Sequence, residues 1–237
     1  MGQTGAAMLV KRTLLIAGIA TLAGCGTGVR LGPMEHETKV LELDKSEMTR
    51  VELKIGAGTL RVEGASPKLM EGNFDYNDPG SKPQVEYHST GVRSDIEVHP
   101  SGTVQHGDSK WDIRLNDSVG MDLVVKMGAG EAHLNLGSLN LRSVAFDLGA
   151  GEVDADLRGN PKRSYDVQIN GGVGQATVHL PRSVGISATA VGGIGQVNVS
   201  GLEKRNGRWI NPGHENAPVT IRLDVKGGVG QIDLVAE

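Results

Sequence analysis

One thiol is available for chemistry in this 237-residue chain, Cys25. A thiolate is the form that accepts an alkyl or acyl group, and the small residues Ala23, Gly24 and Gly26 leave the backbone beside it open to processing enzymes. A free cysteine is ordinarily buried and inert. Cys25 instead closes a segment with a basic pair, Lys11 and Arg12, and an uncharged run over 13–22, the layout of a secretory signal peptide. Covalent modification is therefore the expectation here. The seven imidazoles offer less. In the repeat register set out below, His133 falls beside Asp154 and Asp156 beside His179, a donor set competent for a divalent metal. Their spacing matches no metal motif, and a solvated face with cross-strand pairs accounts for all four. His36, His88, His99, His106 and His214 are scattered. There is no nucleophile elbow, phosphate-binding loop or paired zinc motif, so no catalytic residue, metal or cofactor is expected.

The uncharged run is about half the roughly 20 residues a spanning helix needs, so it targets the chain without crossing a bilayer. Leu22-Ala23-Gly24-Cys25 resembles the bacterial lipobox. That resemblance implies cleavage between Gly24 and Cys25, a diacylglyceryl group on the thiol and an acyl chain such as palmitate on the new amine. Met8 is an alternative start that leaves the cleavage site unchanged. Cleavage leaves 213 residues (237 minus 24) with formal charge −6, from 22 basic against 28 acidic side chains, since the leader removes Lys11 and Arg12. An acidic chain is not built for nucleic acid. With no second cysteine the mature chain has no internal disulfide, and its stability must come from packing. The expected location is the cell envelope, anchored by lipid on Cys25. Because Gly26 rather than an aspartate follows the cysteine, the outer membrane is expected in a two-membrane cell, and otherwise the outer face of the cytoplasmic membrane.

The remainder of the chain is governed by glycine, 35 residues in all, with only 3% aromatics. The glycines recur as Gly56-Ala57-Gly58, Gly128-Ala129-Gly130, Gly149-Ala150-Gly151, Gly171-Gly172-Val173-Gly174, Gly192-Gly193-Ile194-Gly195 and Gly227-Gly228-Val229-Gly230. From Gly130 the last glycine of each cluster steps by 21, 23, 21 and 35 residues. A period of that size points to stacked repeats. Each cluster is flanked by strict alternation, as in Leu123/Val125/Met127 before and Ala132/Leu134 after, which specifies strands with one buried face. Hairpins of a sandwich and coils of a solenoid both accommodate strand, glycine corner, strand. Equal spacing and identical phase favour the solenoid. The expected inward stacks are Ala132, Val153, Ala176, Val197 and Ile232, beside Leu134, Ala155, Val178, Val199 and Leu234. The expected outward column is Glu131, Glu152, Gln175, Gln196 and Gln231, with amides bonded along a ladder. The 35-residue step holds 201–217, expected as a loop thrown out of the coil, with Trp209 folded back over the core.

In the first half, 26–37 is expected to be a flexible tether, followed by strands over 38–43 and 50–55 and by extra antiparallel strands within 69–122. Here a broader resemblance enters. Gly56-Ala57-Gly58-Thr59-Leu60-Arg61-Val62, then Leu69-Met70-Glu71-Gly72-Asn73-Phe74-Asp75-Tyr76-Asn77, Lys82-Pro83-Gln84-Val85, Gly128-Ala129-Gly130-Glu131 and Leu139-Asn140-Leu141 follow one another in an order similar to the toast-rack family of bacterial envelope proteins. Those are related to cell-wall-active antibiotic response proteins and to adhesin-like proteins with glycine-rich β repeats. The resemblance implies a β-solenoid-like fold at the envelope and carries no catalytic residue across.

The expected organisation is a leader over 1–24, the lipidated cysteine and tether over 25–37, an N-terminal β region over 38–122 and glycine-cornered repeats over 123–237. The expected function is non-catalytic binding, scaffold or adhesin-like, toward an envelope protein, a glycan or the cell wall. Two alternatives stand beside it. A cell-wall or polysaccharide-processing enzyme would use outward groups such as Asp154 and Asp156, and an accessory role in envelope-stress sensing follows from family analogy.

Overall fold

A computed structural model describes residues 32–102 and 108–237. Thirteen strands follow in chain order: β1 (Glu35–Leu41), β2 (Met48–Glu63), β3 (Met70–Tyr76), β4 (Pro83–Thr90), β5 (Arg93–Pro100), β6 (Ser109–Leu115), β7 (Gly120–Asn135), β8 (Leu141–Asp156), β9 (Tyr165–Leu180), β10 (Gly185–Ser200), β11 (Glu203–Arg205), β12 (Arg208–Ile210) and β13 (Thr220–Ala236). Gly24 and Cys25 lie outside the described residues. Among those described, no helix is long and apolar enough to cross a membrane.

The repeat unit is one long strand carried through its glycine cluster. β2, β7, β8, β9 and β10 each span 16 residues, and β13 spans 17. The glycines bend each strand into two legs, and alternate residues of both legs enter one apolar cluster. Val125 and Phe146 enter from first legs, Leu134 and Val178 from second legs. Short returns such as 136–140 lead to the next coil, where Leu136 N donates to Asp156 O at 2.9 Å. Parallel pairing is in register from β2 to β7, β7 to β8 and β8 to β9, so like residues stack on like residues. The fold is all-β and solenoid-like.

The first half adds incomplete coils. β5 pairs in parallel with the first leg of β2 and β6 with its second leg. Together they form a coil whose two legs come from separate strands, with no glycine cluster of the repeat type between them in the sequence. β3 and β4 make another, running the opposite way, β3 antiparallel to β6 and β4 antiparallel to β5. β1 closes this end, antiparallel to β3. The extra antiparallel strands are thus present, joined to the coils through parallel pairs. β1 begins at Glu35, three residues earlier than the strand expected from 38, because His36 and Glu37 pair with Asp75 and Phe74 of β3.

The C-terminal coils depart from sequence order. β13, last in the chain, is inserted between β9 and β10, giving β7-β8-β9-β13-β10. Its outward side chains have partners on both sides. Arg222 pairs with Asp166 of β9, Asp224 accepts from Thr189 of β10, and Asp233 accepts from Asn198 of β10 at 2.8 Å. The expected inward stack changes accordingly. Ala132, Val153, Ala176 and Ile232 are buried, whereas Val197, now in the terminal coil, is 38% exposed. The segment over 201–217 is more than a loop. β11 and β12 form a hairpin that pairs with Ser187 and Ala188 of β10. Asn211, buried, fastens it: its Oδ1 accepts from Ile186 N at 2.8 Å and its Nδ2 donates to Val184 O at 2.7 Å. Trp209 packs half-buried against the core, with Lys204 Nζ 5.3 Å from its ring centroid.

Candidate functional site

The polar residues singled out from the sequence do not converge. His133 and Asp154 are register neighbours, as are Asp156 and His179. Asp156, however, is taken by Arg158, whose Nη2 lies 2.7 Å from its Oδ2. That guanidinium bond holds the Asp156 carboxyl below its ordinary range. His179 lies between Asp154 at 3.6 Å and Glu237 at 3.2 Å, while the nearest carboxylate to His133 is Glu131 at 4.0 Å. Among the described residues no group of three or more His, Cys, Asp and Glu is placed to hold a metal ion. The expected amide ladder also takes another form. Gln175, Gln231 and Gln196 do stack, in that order, but Gln175 and Gln231 both donate to Asp233, at 3.4 and 2.6 Å.

A stronger charged cluster, which the sequence did not reveal, sits on the first legs. Glu52 accepts from Lys126 Nζ and Arg50 Nη1, each at 2.9 Å, with Lys54 Nζ at 3.6 Å. The Lys126 bond is the largest cause of a lowered Glu52 pKa, opposed by desolvation. Parallel register sets Lys54 beside Lys126, and two carboxylates make the pair tolerable: Glu52 accepts from Lys126, and Glu97 of β5 accepts from Lys54.

The feature that runs the length of the molecule is the glycine corner. Two glycine columns there are obligatory. A Cβ on Gly128, Gly149, Gly172, Gly228 or Gly193 would lie 2.2–2.4 Å from the carbonyl oxygen of the neighbouring coil. On Gly130, Gly151, Gly174, Gly230 or Gly195 it would lie 1.6–1.9 Å away, and these five have φ between 123° and 143°. Only glycine permits both the conformation and the approach. Between these columns stands a third whose side chains face solvent: Ala57, Ala129, Ala150, Val173, Val229 and Ile194 in stacking order. Just before the glycines a fourth column reads Ile55, Met127, Leu148, Gly171, Gly227 and Gly192. The first three fill the interior of the corner and are buried. In the last three coils that interior position is empty of side chain while the outer one has grown from alanine to valine or isoleucine. The signal for this ridge is the change from GAG to GGVG and GGIG. Alternation assigns no face to a residue between two glycines, so the sequence pattern left its exposure undetermined.

At the far end, among the described residues, β10 has no strand partner on its outer side beyond the short pair with β12. Its second leg, from Val191 to Ser200, is an open and uncharged edge.

Comparison with known proteins adds the following. Residues 30–179 match the family described as the N-terminal domain of toast_rack, DUF2154. No curated protein matches. Among solved structures, one titled a "putative cell adhesion protein" from Clostridium sporogenes is 30% identical with a TM-score of 0.83, covering 86% of this chain and 100% of that one. A "putative adhesin" from Bacteroides fragilis is 10% identical with a TM-score of 0.29, covering 84% of this chain and 97% of its own. Another from Parabacteroides distasonis is 11% identical with a TM-score of 0.26, covering 85% and 97%. A family match over 150 of 237 residues, together with the fold shared with the first of these structures, places the chain in the toast-rack family.

Proposed function

We propose that this is a lipid-anchored envelope protein that acts by binding, in an adhesin-like role, through a rigid stack of β coils. The observation that carries the proposal is the shared fold and 30% identity with the Clostridium sporogenes protein, whose whole length this chain covers. The expected leader over 1–24, ahead of Cys25, supports delivery to the cell surface. The architecture suits the role: coils that repeat side chains at a fixed spacing present extended faces to a partner. The partner classes are an envelope protein, a glycan or the cell wall, reached from a membrane to which lipid on Cys25 holds the protein. Nearby ion pairs engage His179 and Asp156, which supports a structural role for the polar face.

Chemical cross-linking in intact cells tests this proposal. Anchored wild type is compared with a Cys25→Ala variant, and captured envelope proteins and glycan fragments are identified. Partners enriched with the anchored form and reduced with the variant are the expected result. Turnover of a cell-wall glycan by the protein, abolished by Asp154→Asn or Asp156→Asn, would overturn it in favour of an enzyme.

A further inference from the structure

We infer that the ridge of the last three coils, carried by Val173, Val229 and Ile194, is a bilayer-contacting face that lays the coil stack along the membrane. The inference rests on the anchor proposed above and adds an orientation to it. Its first support is an exchange of apolar volume across the corner. β7 and β8 place Met127 and Leu148 inside and small Ala129 and Ala150 outside. β9, β13 and β10 place Gly171, Gly227 and Gly192 inside and Val173, Val229 and Ile194 outside, at 55%, 46% and 73% exposure.

Packing does not demand those interior glycines. A Cβ on Gly171 would meet nothing nearer than Lys226 O at 3.9 Å, one on Gly192 only Val197 Cγ2 at 3.5 Å, and one on Gly227 the flexible Ile232 Cδ1 at 3.2 Å. The space left there, a cavity of about 30 Å³, is lined by Leu148, Val153, Ile169, Ala176 and Ile232. A sequence shaped only for folding in water would keep the larger side chain inside. Here the larger side chain faces out, and Val191, at 62% exposure, adds to the patch. Exposed apolar patches of this kind mark contact surfaces.

Chain geometry says what covers it. Leg directions place the start of β1 on the corner line, because Glu35 pairs with Tyr76, Tyr76 with Ser109, and Lys110 with Thr59, the residue after Gly58. Gly32 N donates to Asn77 O at 2.9 Å at that same level. Cys25 lies seven residues before Gly32, so its lipid is held within about 25 Å of the corner line at roughly 3.5 Å per residue. From β1 to β10 the stack has eight steps, or about 38 Å at 4.8 Å each. The tether thus draws one end of the corner line to the bilayer, and the apolar residues at the other end lay it down. The charge pattern agrees. The positions flanking the ridge are Asn170, Lys226 and Val191 on one side and Gln175, Gln231 and Gln196 on the other, whereas β7 carries Lys126 and Glu131 there and β8 carries Asp147 and Glu152. Within these three coils the nearest carboxylates, Asp224 and Asp233, are two residues further along the legs, and from β8 Asp147 accepts from Asn170 at 2.7 Å. A neutral-to-basic rim around apolar side chains suits an anionic lipid surface.

The test uses the full chain purified from membranes and reconstituted in vesicles of phosphatidylethanolamine and phosphatidylglycerol carrying doxyl-labelled phosphatidylcholine. A fluorophore is placed at Ile194→Cys, at Val173→Cys and, as a remote control, at Asn135→Cys, all exposed positions that leave the core intact. Quenching by the doxyl lipid at least about twofold stronger at the two ridge positions than at 135 is expected. Equal quenching at all three overturns the inference. So does a blue shift that is insensitive to doxyl lipid and grows with protein concentration, which would assign the ridge to a second copy of the chain. Mass spectrometry of the wild-type N-terminal peptide reports the anchor separately. An acylated Cys25 with an unquenched ridge overturns the orientation alone, and a quenched ridge with an unmodified Cys25 overturns the anchor alone.

Discussion

Gly151 and Gly171 show how residues of one type carry different physical obligations. At Gly151 the φ is 129° and an added Cβ would sit 1.9 Å from Gly130 O, so Gly151→Ala must move two coils apart. A loss of about 2 kcal/mol or more is expected in chemical unfolding, combining left-handed strain with a backbone clash. At Gly171 the same substitution meets open space, and Gly171→Ala is expected to be neutral or to stabilise by about 0.5–1 kcal/mol through the unfolded chain. Equal effects at the two sites would contradict the column assignment. Glu52 supplies a pH dependence. Its folded-state pKa is lowered, chiefly by Lys126, so its contribution is present above the unfolded value near 4.3 and is lost as pH falls through the folded value. Comparing wild type with Glu52→Gln across that range, the difference in unfolding free energy should be largest at neutral pH and shrink on acidification. A difference that grows with acid would contradict the assignment.

The elements show what alternation does and does not encode. Period-two patterning around each glycine cluster identified both legs of β7, β8, β9, β10 and β13, because a one-residue slip would turn every buried side chain outward. The order of the coils was not legible. β10 and β13 carry nearly the same pattern, Gly-Gly-Ile-Gly-Gln-Val-Asn-Val against Gly-Gly-Val-Gly-Gln-Ile-Asp-Leu, and either satisfies the interior position. What separates them is long-range: Arg222 meets Asp166, and the 19-residue connection over 201–219 lets the chain cross back to pair with β9. The coils formed by β5 with β6 and by β3 with β4 were hidden for a related reason, since no glycine cluster of the repeat type joins their legs. Paired substitutions test the order. Ile232→Lys puts a charge into the core of an internal coil and should cost more than about 3 kcal/mol or prevent folding, whereas Val197→Lys, at the free edge, should cost less than about 1 kcal/mol. Thermal unfolding of the two variants reports this directly, and the reverse ranking would place β10 inside the stack.

For the whole molecule, the proposed anchor and the fold answer different questions. The core forms without a disulfide by stacking one short pattern many times. In the proposed function a leader and Cys25 determine where that stack works, a proposal that rests on residue types alone: a basic pair, an uncharged run, small residues and one thiol. The ridge was not read there, because exposure at a glycine corner depends on how the legs bend. An anchored coil stack is the central claim, and intact-mass and N-terminal peptide mass spectrometry of the protein purified from its own membranes test it most directly. The predicted result is a mature chain beginning at Cys25 that carries a diacylglyceryl group on sulfur and an acyl chain on the amine, with 1–24 absent. A mature chain with a free Cys25 thiol, or one that retains 1–24 without lipid, would contradict it.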